Sequence, residues 1–253
     1  GTGWELVGEG YQFTEGPAAN ARGELFFTDI PRNRLHRVGL DGKVTVFVED
    51  AGGVSGLTFG ADGRLYAAQG GRKRIVAYDD AGKETVVAEG VESNDLAVSF
   101  RGDVYVTDPK NKQVLLVPRK GAGWGEPRVV DTGLGFANGV RLSPDQTFLY
   151  VSDSRGRYVW SYQIGRDGTL AHKQPWCWLH APDLPLESGA DGMTLDTEGR
   201  LYVTTRLGVQ VCDQAGRVNV ILDKPDRDWL SNVTFAGPAF DQLYVTTASR
   251  VWK

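Results

Sequence analysis

Six residues with an oxygen on a short side chain, Glu15, Ser55, Asn94, Asn138, Asp191 and Asn232, each open a related phrase, and the phrases recur at intervals of 39 to 53 residues. The phrases are EGPAAN, SGLTFG, NDLAVS, NGVRLS, DGMTLD and NVTFAG. A fold that gathers these openings brings together two carboxylates and up to three amides, with no thiol and no imidazole among them. Such an all-oxygen set suits one hard divalent cation, Ca2+ first; Mg2+, Mn2+ and Zn2+ stay open, zinc being the least suited. Two carboxylates facing a dication approach neutrality, whereas buried acids without one carry a desolvation cost. The structural alternative is that Asx and Ser merely shape turns before strands, which applies most readily to Ser55 and Asn232.

The elements that must position these residues follow from the repeat itself. Behind each phrase come a Gly- or Asp-bearing turn and a β-rich run: ELFFTD, RLYAAQ, DVYVTD, FLYVSD, RLYVTT and QLYVTT. A third apolar stretch follows, then a turn such as LDGK or DAGK, and usually a fourth stretch such as VTVFVE or ETVVAE. Alternating β-branched and aromatic residues punctuated by DG, AG and GG are antiparallel hairpin signals, and no amphipathic helix competes with them. The pattern predicts an all-β chain: a six-bladed β-propeller with four antiparallel strands per blade, occupying residues 1–253 as a single domain. A β-sandwich is the alternative. The sixth unit lacks a strand, and the β-like piece Trp4 to Val7 is free to supply it, so residues 1–10 are expected to complete the last blade and close the ring.

In this architecture the first strand of each blade lines the channel, which places the six phrase openings at one end of it. The second strands return to that end with Asp29, Gln69, Asp108, Asp153, Thr205 and Thr247. Most of this outer ring is expected to cap turns, with Asp108 singled out as a substrate-binding candidate. The turns at Asp41, Asp62 and Asp167 fall at the opposite face. The longest interval, between Asn138 and Asp191, contains WCWLHAPDLPLESGA, whose Pro-rich part is expected to cover the metal face as a lid. His180 lies in it, a candidate for substrate binding or proton transfer. Trp176 and Trp178 are expected to pack on an outer strand.

Composition narrows the function classes. Lys plus Arg number 28 against 32 Asp plus Glu, for a net charge of −4, with no basic block, which gives a nucleic-acid partner no electrostatic support. No run approaches a membrane span and no charged-then-apolar leader opens the chain, so a soluble protein is expected, cytoplasmic or exported with its leader absent from this sequence. Cys177 and Cys212 lack metal-site spacing; free thiols are expected, with a single disulfide as the alternative. The three histidines and the absence of a GxSxG elbow leave a serine nucleophile without an activating base. A monomer acting on a small molecule is the expectation.

The phrases TEGPA, FFTDIPRNRLHRV, GLTFGADGRLYAA, ANGVRLSPDQTFLYVSD and GADGMTLDTEGRLYVTTRLGVQV together resemble the senescence marker protein/gluconolactonase family from Thr14 to about Thr247. The resemblance implies a six-bladed propeller with one catalytic divalent cation that hydrolyses lactones of sugar acids or related esters. It implies Glu15, Asn138 and Asp191 as metal ligands, Asn94 close to metal and substrate, and Asp191 as general base. Glu92 stands where animal members carry an arginine. The mechanism expected is polarisation of the lactone carbonyl and attack of water. The alternatives are phosphotriester or fluorophosphate hydrolysis at the same site, and a non-catalytic binding propeller whose cation is structural, for which Trp124 and Trp229 in loops are a hint.

Overall fold

Runs such as Leu25–Asp29, Leu65–Gln69 and Val104–Asp108 are buried along their whole length, which a strand achieves only when both of its faces are covered. In the computed structural model, which describes residues 3–253, the cover comes from stacking six four-stranded antiparallel sheets around an axis. The inner strands are Thr14–Ala19, Val54–Phe59, Leu96–Val98, Ala137–Leu142, Met193–Leu195 and Leu230–Ala236. Each touches the next, and the last touches the first. The fold is the predicted six-bladed propeller.

The hydrophobic core is divided in the same way, into six clusters that each join two adjacent blades. Phe26 and Leu35 meet Leu57 and Tyr78 between blades one and two. Tyr105 and Leu116 meet Val140 and Tyr162 between blades three and four, and Leu25 and Phe27 meet Tyr244 and Val251 where the last blade meets the first. Each fully buried large side chain contributes about 1.5–3 kcal/mol, so the blades are held together by apolar faces and no blade keeps a core of its own.

The ring closes without a covalent bond. Leu6–Glu9 pairs antiparallel with Arg250–Trp252 as the outer strand of the last blade, and Glu5 and Lys253 extend the pairing with backbone bonds of 2.7 and 2.9 Å. The closing strand, Leu6–Glu9, starts two residues after Trp4, with Glu5 already paired, and Trp4 donates its indole N–H to the Asp223 carbonyl.

Three further expectations meet the structure here. Cys177 and Cys212 are buried free thiols in the cluster between blades four and five, with no disulfide, and burial raises the Cys177 thiol pKa. Trp176 stacks on Tyr150 at 4.1 Å and Trp178 packs edge-on against Tyr158, both on the outer strand Leu170–Trp178. Trp124 is not a free loop residue. It belongs to a small ribbon, Arg119–Lys120 with Gly123–Trp124, and packs against Tyr66 beneath the guanidinium of Arg119.

Removal of residues 1–10 is expected to lower Tm by at least about 5 °C, equivalent to about 2 kcal/mol for a domain of this size. Thermal unfolding followed by circular dichroism checks this, and an unchanged Tm would mean that the pairing adds nothing to closure.

Candidate functional site

The inner strands are irregular where they reach the channel mouth. Register shifts fall between Glu15 and Ala18, between Val54 and Leu57, between Ala137 and Val140, and between Leu230 and Asn232. Bulges of this kind turn consecutive side chains out of strict alternation, which lets Glu15 and Asn138 face the channel while their neighbours remain in the core. Gly16 is required in this turn: its φ is +55°, and a side chain there would overlap the backbone of blade two at Ser55.

Hydroxyl groups fix the spacing between blades by bonding to the backbone of the site residues. Thr107 Oγ1 donates to the Asn138 carbonyl at 2.5 Å, Ser152 Oγ to the Asp191 carbonyl at 2.7 Å, and Ser231 Oγ to the Thr14 carbonyl at 2.8 Å. The Asn94 carbonyl accepts from Ser55 Oγ and, at 2.8 Å, from the Gly56 N–H. Between blades one and two the pattern is interrupted, and Thr28 Oγ1 is buried without a partner.

The six phrase openings separate by what their oxygens already do. Ser55 Oγ gives its one hydrogen to the Asn94 carbonyl, which fixes the direction of its hydroxyl. Asn232 donates Nδ2 to Glu15 Oε2 at 2.8 Å and accepts the Val233 N–H on Oδ1 at 2.9 Å, so it holds Glu15 in place and has little left to offer. A Cβ on Gly192 would overlap this carboxamide. Glu15 Oε2 also accepts the Gly16 N–H, which leaves Oε1 as the free oxygen. Asn138 Nδ2 donates to Ser154 Oγ at 3.0 Å, and Ser154 in turn donates to the Ala190 carbonyl at 2.6 Å. That chain of donors orients the amide and leaves Oδ1 unspent. Asp191 receives the Trp229 indole N–H on Oδ2 at 2.8 Å and lies beside the Asn138 amide. The half-buried Asn94 is held through its backbone, its N–H donating to the Thr107 carbonyl at 2.9 Å.

Burial dominates the electrostatics. Glu15, Asp95 and Asp191 are 8, 2 and 7% exposed. Desolvation, reinforced by the charge of Asp95, pushes the Glu15 carboxyl up to about 7, against the pull of the Asn232 and Gly16 N–H groups. Desolvation and the Glu15 charge hold Asp191 well above its ordinary value. Asp95 is raised by burial and pulled back by Arg141. Among the described residues no three His, Cys, Asp or Glu side chains form a ligating group, so a cation here relies on carboxamide oxygen beside the two carboxylates. The oxygens left free on Glu15 and Asn138, together with the Asp191 carboxyl, fit a hard cation and offer nothing to a soft one.

Asp95, Arg141 and Trp229 complete the surroundings and were not singled out as site residues in the sequence. Asp95 follows Asn94 directly, which is the one signal that pointed to it. Trp229 lies beneath Arg206, whose guanidinium is 5.3 Å from the ring centroid, and its indole N–H points to Asp191.

The other candidates make no hydrogen bond to Glu15, Asn138 or Asp191. Asp108 accepts Asn111 N–H at 3.0 Å, Asn111 Nδ2 at 2.7 Å and Gln113 Nε2 at 2.8 Å, so its carboxylate is committed to its own turn. Asp29 and Asp153 do related work, accepting the N–H groups of Phe13 and of Gly135 and Phe136, and so fix the loops that deliver Glu15 and Asn138. His180 is exposed, and Gln210 clamps its backbone with bonds of 2.9 and 2.8 Å. The segment after it leads to Asp191 and exposes Leu184 and Leu186. Glu92 is occupied by Lys73 at 2.9 Å and Lys110 at 2.7 Å. No helix among the described residues is long and apolar enough to cross a membrane.

A family model described as the SMP-30/gluconolactonase/LRE-like region matches residues 13–249. The chain is 26% identical over 288 residues to a gluconolactonase of Zymomonas mobilis, covering 98% of this chain and 79% of that protein. A gluconolactonase structure from Xanthomonas campestris superposes with a TM-score of 0.85 at 24% identity, over 98% of this chain and 88% of that one. The calcium-binding protein regucalcin from Agrobacterium tumefaciens superposes with a TM-score of 0.79 at 20% identity, over 95 and 84% of the two chains.

The raised Glu15 carboxyl gives the metal-free protein a pH dependence. Between the ordinary value of 4.5 and about 7 the folded chain holds a proton that the unfolded chain has released, so stability falls as pH rises through that window. Chelated protein is expected to lose Tm relative to Glu15→Gln between pH 5 and 8. The comparison cancels the opposite contribution of His36, whose buried ring is held below its usual value. Parallel Tm profiles for the two proteins would contradict the buried, proton-holding carboxyl.

Proposed function

Since the chain belongs to the SMP-30/gluconolactonase/LRE-like family, we propose that it is a metal-dependent hydrolase that opens lactones of sugar acids or related esters with water. The observation that carries the proposal is the pairing of two buried carboxylates, Glu15 and Asp191, with the oriented oxygen of Asn138 at one end of the channel. Buried acids that repel each other destabilise a fold unless a positive group offsets them. The gluconolactonase of Zymomonas mobilis supports the lactone as substrate class, and the calcium-binding regucalcin supports Ca2+ as the ion.

A divalent cation held by Glu15, Asn94, Asn138 and Asp191 would supply the positive charge that draws electron density from the lactone carbonyl. The remaining work belongs to side chains. Asp191 accepts the proton of the attacking water as the new C–O bond forms; a carboxylate beside a cation is a weak base on its own, so its strength depends on sharing that proton with the water it orients. Trp229 holds Oδ2 by its N–H and fixes the direction in which the carboxyl faces. The ring C–O bond then breaks, the proton passes to the departing alkoxide, and a hydroxy acid leaves. Asn94 orients the substrate from the neighbouring blade. Asn232 acts through Glu15 as a positioning residue.

Hydrolysis of a panel of sugar-acid and aliphatic lactones, followed by a pH indicator on chelated protein and after separate addition of Ca2+, Mg2+, Mn2+ or Zn2+, tests the reading. Turnover is expected only with an added ion. Asp191→Ala is expected to lose ion binding and to lower kcat/KM by about 10³-fold or more. Turnover retained in that variant would remove the proposed role, and no turnover with any ion would leave the lactonase reading without support.

A further inference from the structure

The channel contains a cation of the chain's own. Arg141 lies on the same inner strand as Asn138, Ala137–Leu142, and its side chain is only 14% exposed. Its Nη1 sits 3.2 Å from Asp95 Oδ2 and 2.8 Å from the Val140 carbonyl, and its charge also reaches Glu15. Asp95 is held for this pairing from both sides: the Leu96 N–H bonds to Oδ1 at 2.8 Å and the Val140 N–H to Oδ2 at 3.3 Å. The Asp95 carboxylate is thus engaged by Arg141 and two backbone N–H groups, while its charge acts on Glu15 and Asp191.

Fully ionised, Glu15, Asp95 and Asp191 bring three negative charges, and Arg141 returns one. We propose that Arg141 sets the charge of this site at two negative, so that one divalent cation neutralises it, and that this arginine thereby decides which ion charge the site prefers. The proposal rests on the metal reading above and extends it to a residue that offers no ligand atom. The physical reason is the cost of uncompensated charge away from water: an excess of one unit beside buried groups is opposed far more strongly than the same excess at a surface.

A charge series tests it, because four variants differ in one quantity. With a dication neutral in the wild-type site, Arg141→Met leaves three negative charges and is matched by a trivalent ion. Asp95→Asn leaves one. The double variant Asp95→Asn/Arg141→Met returns to two, and Arg141→Lys keeps two. Tb3+ is the trivalent probe, since it takes oxygen ligands as Ca2+ does, and its luminescence sensitised by Trp229, whose N–H bonds Asp191, reports binding without any assay of activity. Calorimetry gives the Ca2+ affinity.

The ratio of Tb3+ to Ca2+ affinity is expected to rise at least about tenfold in Arg141→Met and to fall at least about tenfold in Asp95→Asn, each corresponding to about 1.4 kcal/mol. The double variant and Arg141→Lys are expected to stay within about threefold of wild type, equivalent to about 0.7 kcal/mol. A merely structural arginine would weaken both ions together and leave the ratio unmoved, which overturns the proposal while leaving the metal site standing. A double variant that stays shifted overturns it as well. Failure of the wild-type protein to bind either ion overturns the metal reading and this inference together. If Arg141→Met does not fold, the opposite shift in Asp95→Asn and the constancy of Arg141→Lys decide the question.

Discussion

Closure of the ring is the constraint on which the site depends. Six inner strands meet around one axis only while each blade is pressed between two others, and the apolar clusters that press them lie between blades, not within them. Loss of one contact therefore loosens two blades and, through them, the channel. The first strand pairs with the last for this reason. A sheet edge left open at that seam would also leave backbone groups free to pair with another chain.

Closure brings carboxylates together that would otherwise move apart, and the molecule manages them with small polar groups fixed to the backbone. Hydroxyls of Thr107, Ser152 and Ser231 hold the carbonyls of neighbouring blades. Asn232 and Trp229 each take one oxygen of a carboxylate, and Ser154 orients the Asn138 amide. These bonds fix the side chains of Glu15, Asn138 and Asp191 within the closed ring and leave Glu15 Oε1 and Asn138 Oδ1 without a hydrogen-bond partner among the described residues. Arg141 adds the one positive charge paired with Asp95 beside them.

Much of the fold was legible in the sequence because a propeller repeats. One forty-residue unit says little, whereas six in register fix strand order, the face on which Glu15 and Asp191 emerge, and the side on which the DG turns lie. The closing strand was found by counting: Leu6–Glu9 falls within residues 1–10, while the bond of the Trp4 indole to the Asp223 carbonyl, 219 residues away in the chain, was not visible in the sequence. Trp124 and Trp229 show the same limit. Both read as loop tryptophans; Trp229 does stand in a loop and donates to Asp191, whereas Trp124 belongs to a short ribbon and packs under Arg119, contacts that depend on elements far off in the chain.

The sequence by itself determined the architecture and the chemical type of the axial residues, since periodicity and residue identity are local properties. Only the tertiary structure decided which of those residues keep an oxygen free. Asn232 and Asn138 carry the same side chain and open similar phrases, yet the strand register sets Asn232 level with Gly139 and puts Ser231 where Asn138 stands. Asn232 is consumed by Glu15 and by the backbone of Val233, while a serine and a carbonyl turn the oxygen of Asn138 loose. The tertiary structure likewise committed Asp108 to its own turn and set Arg141 against Asp95. Hydrogen bonds and ion pairs are settled by distances of a few ångströms between residues from different blades, and those distances exist only once the ring has closed.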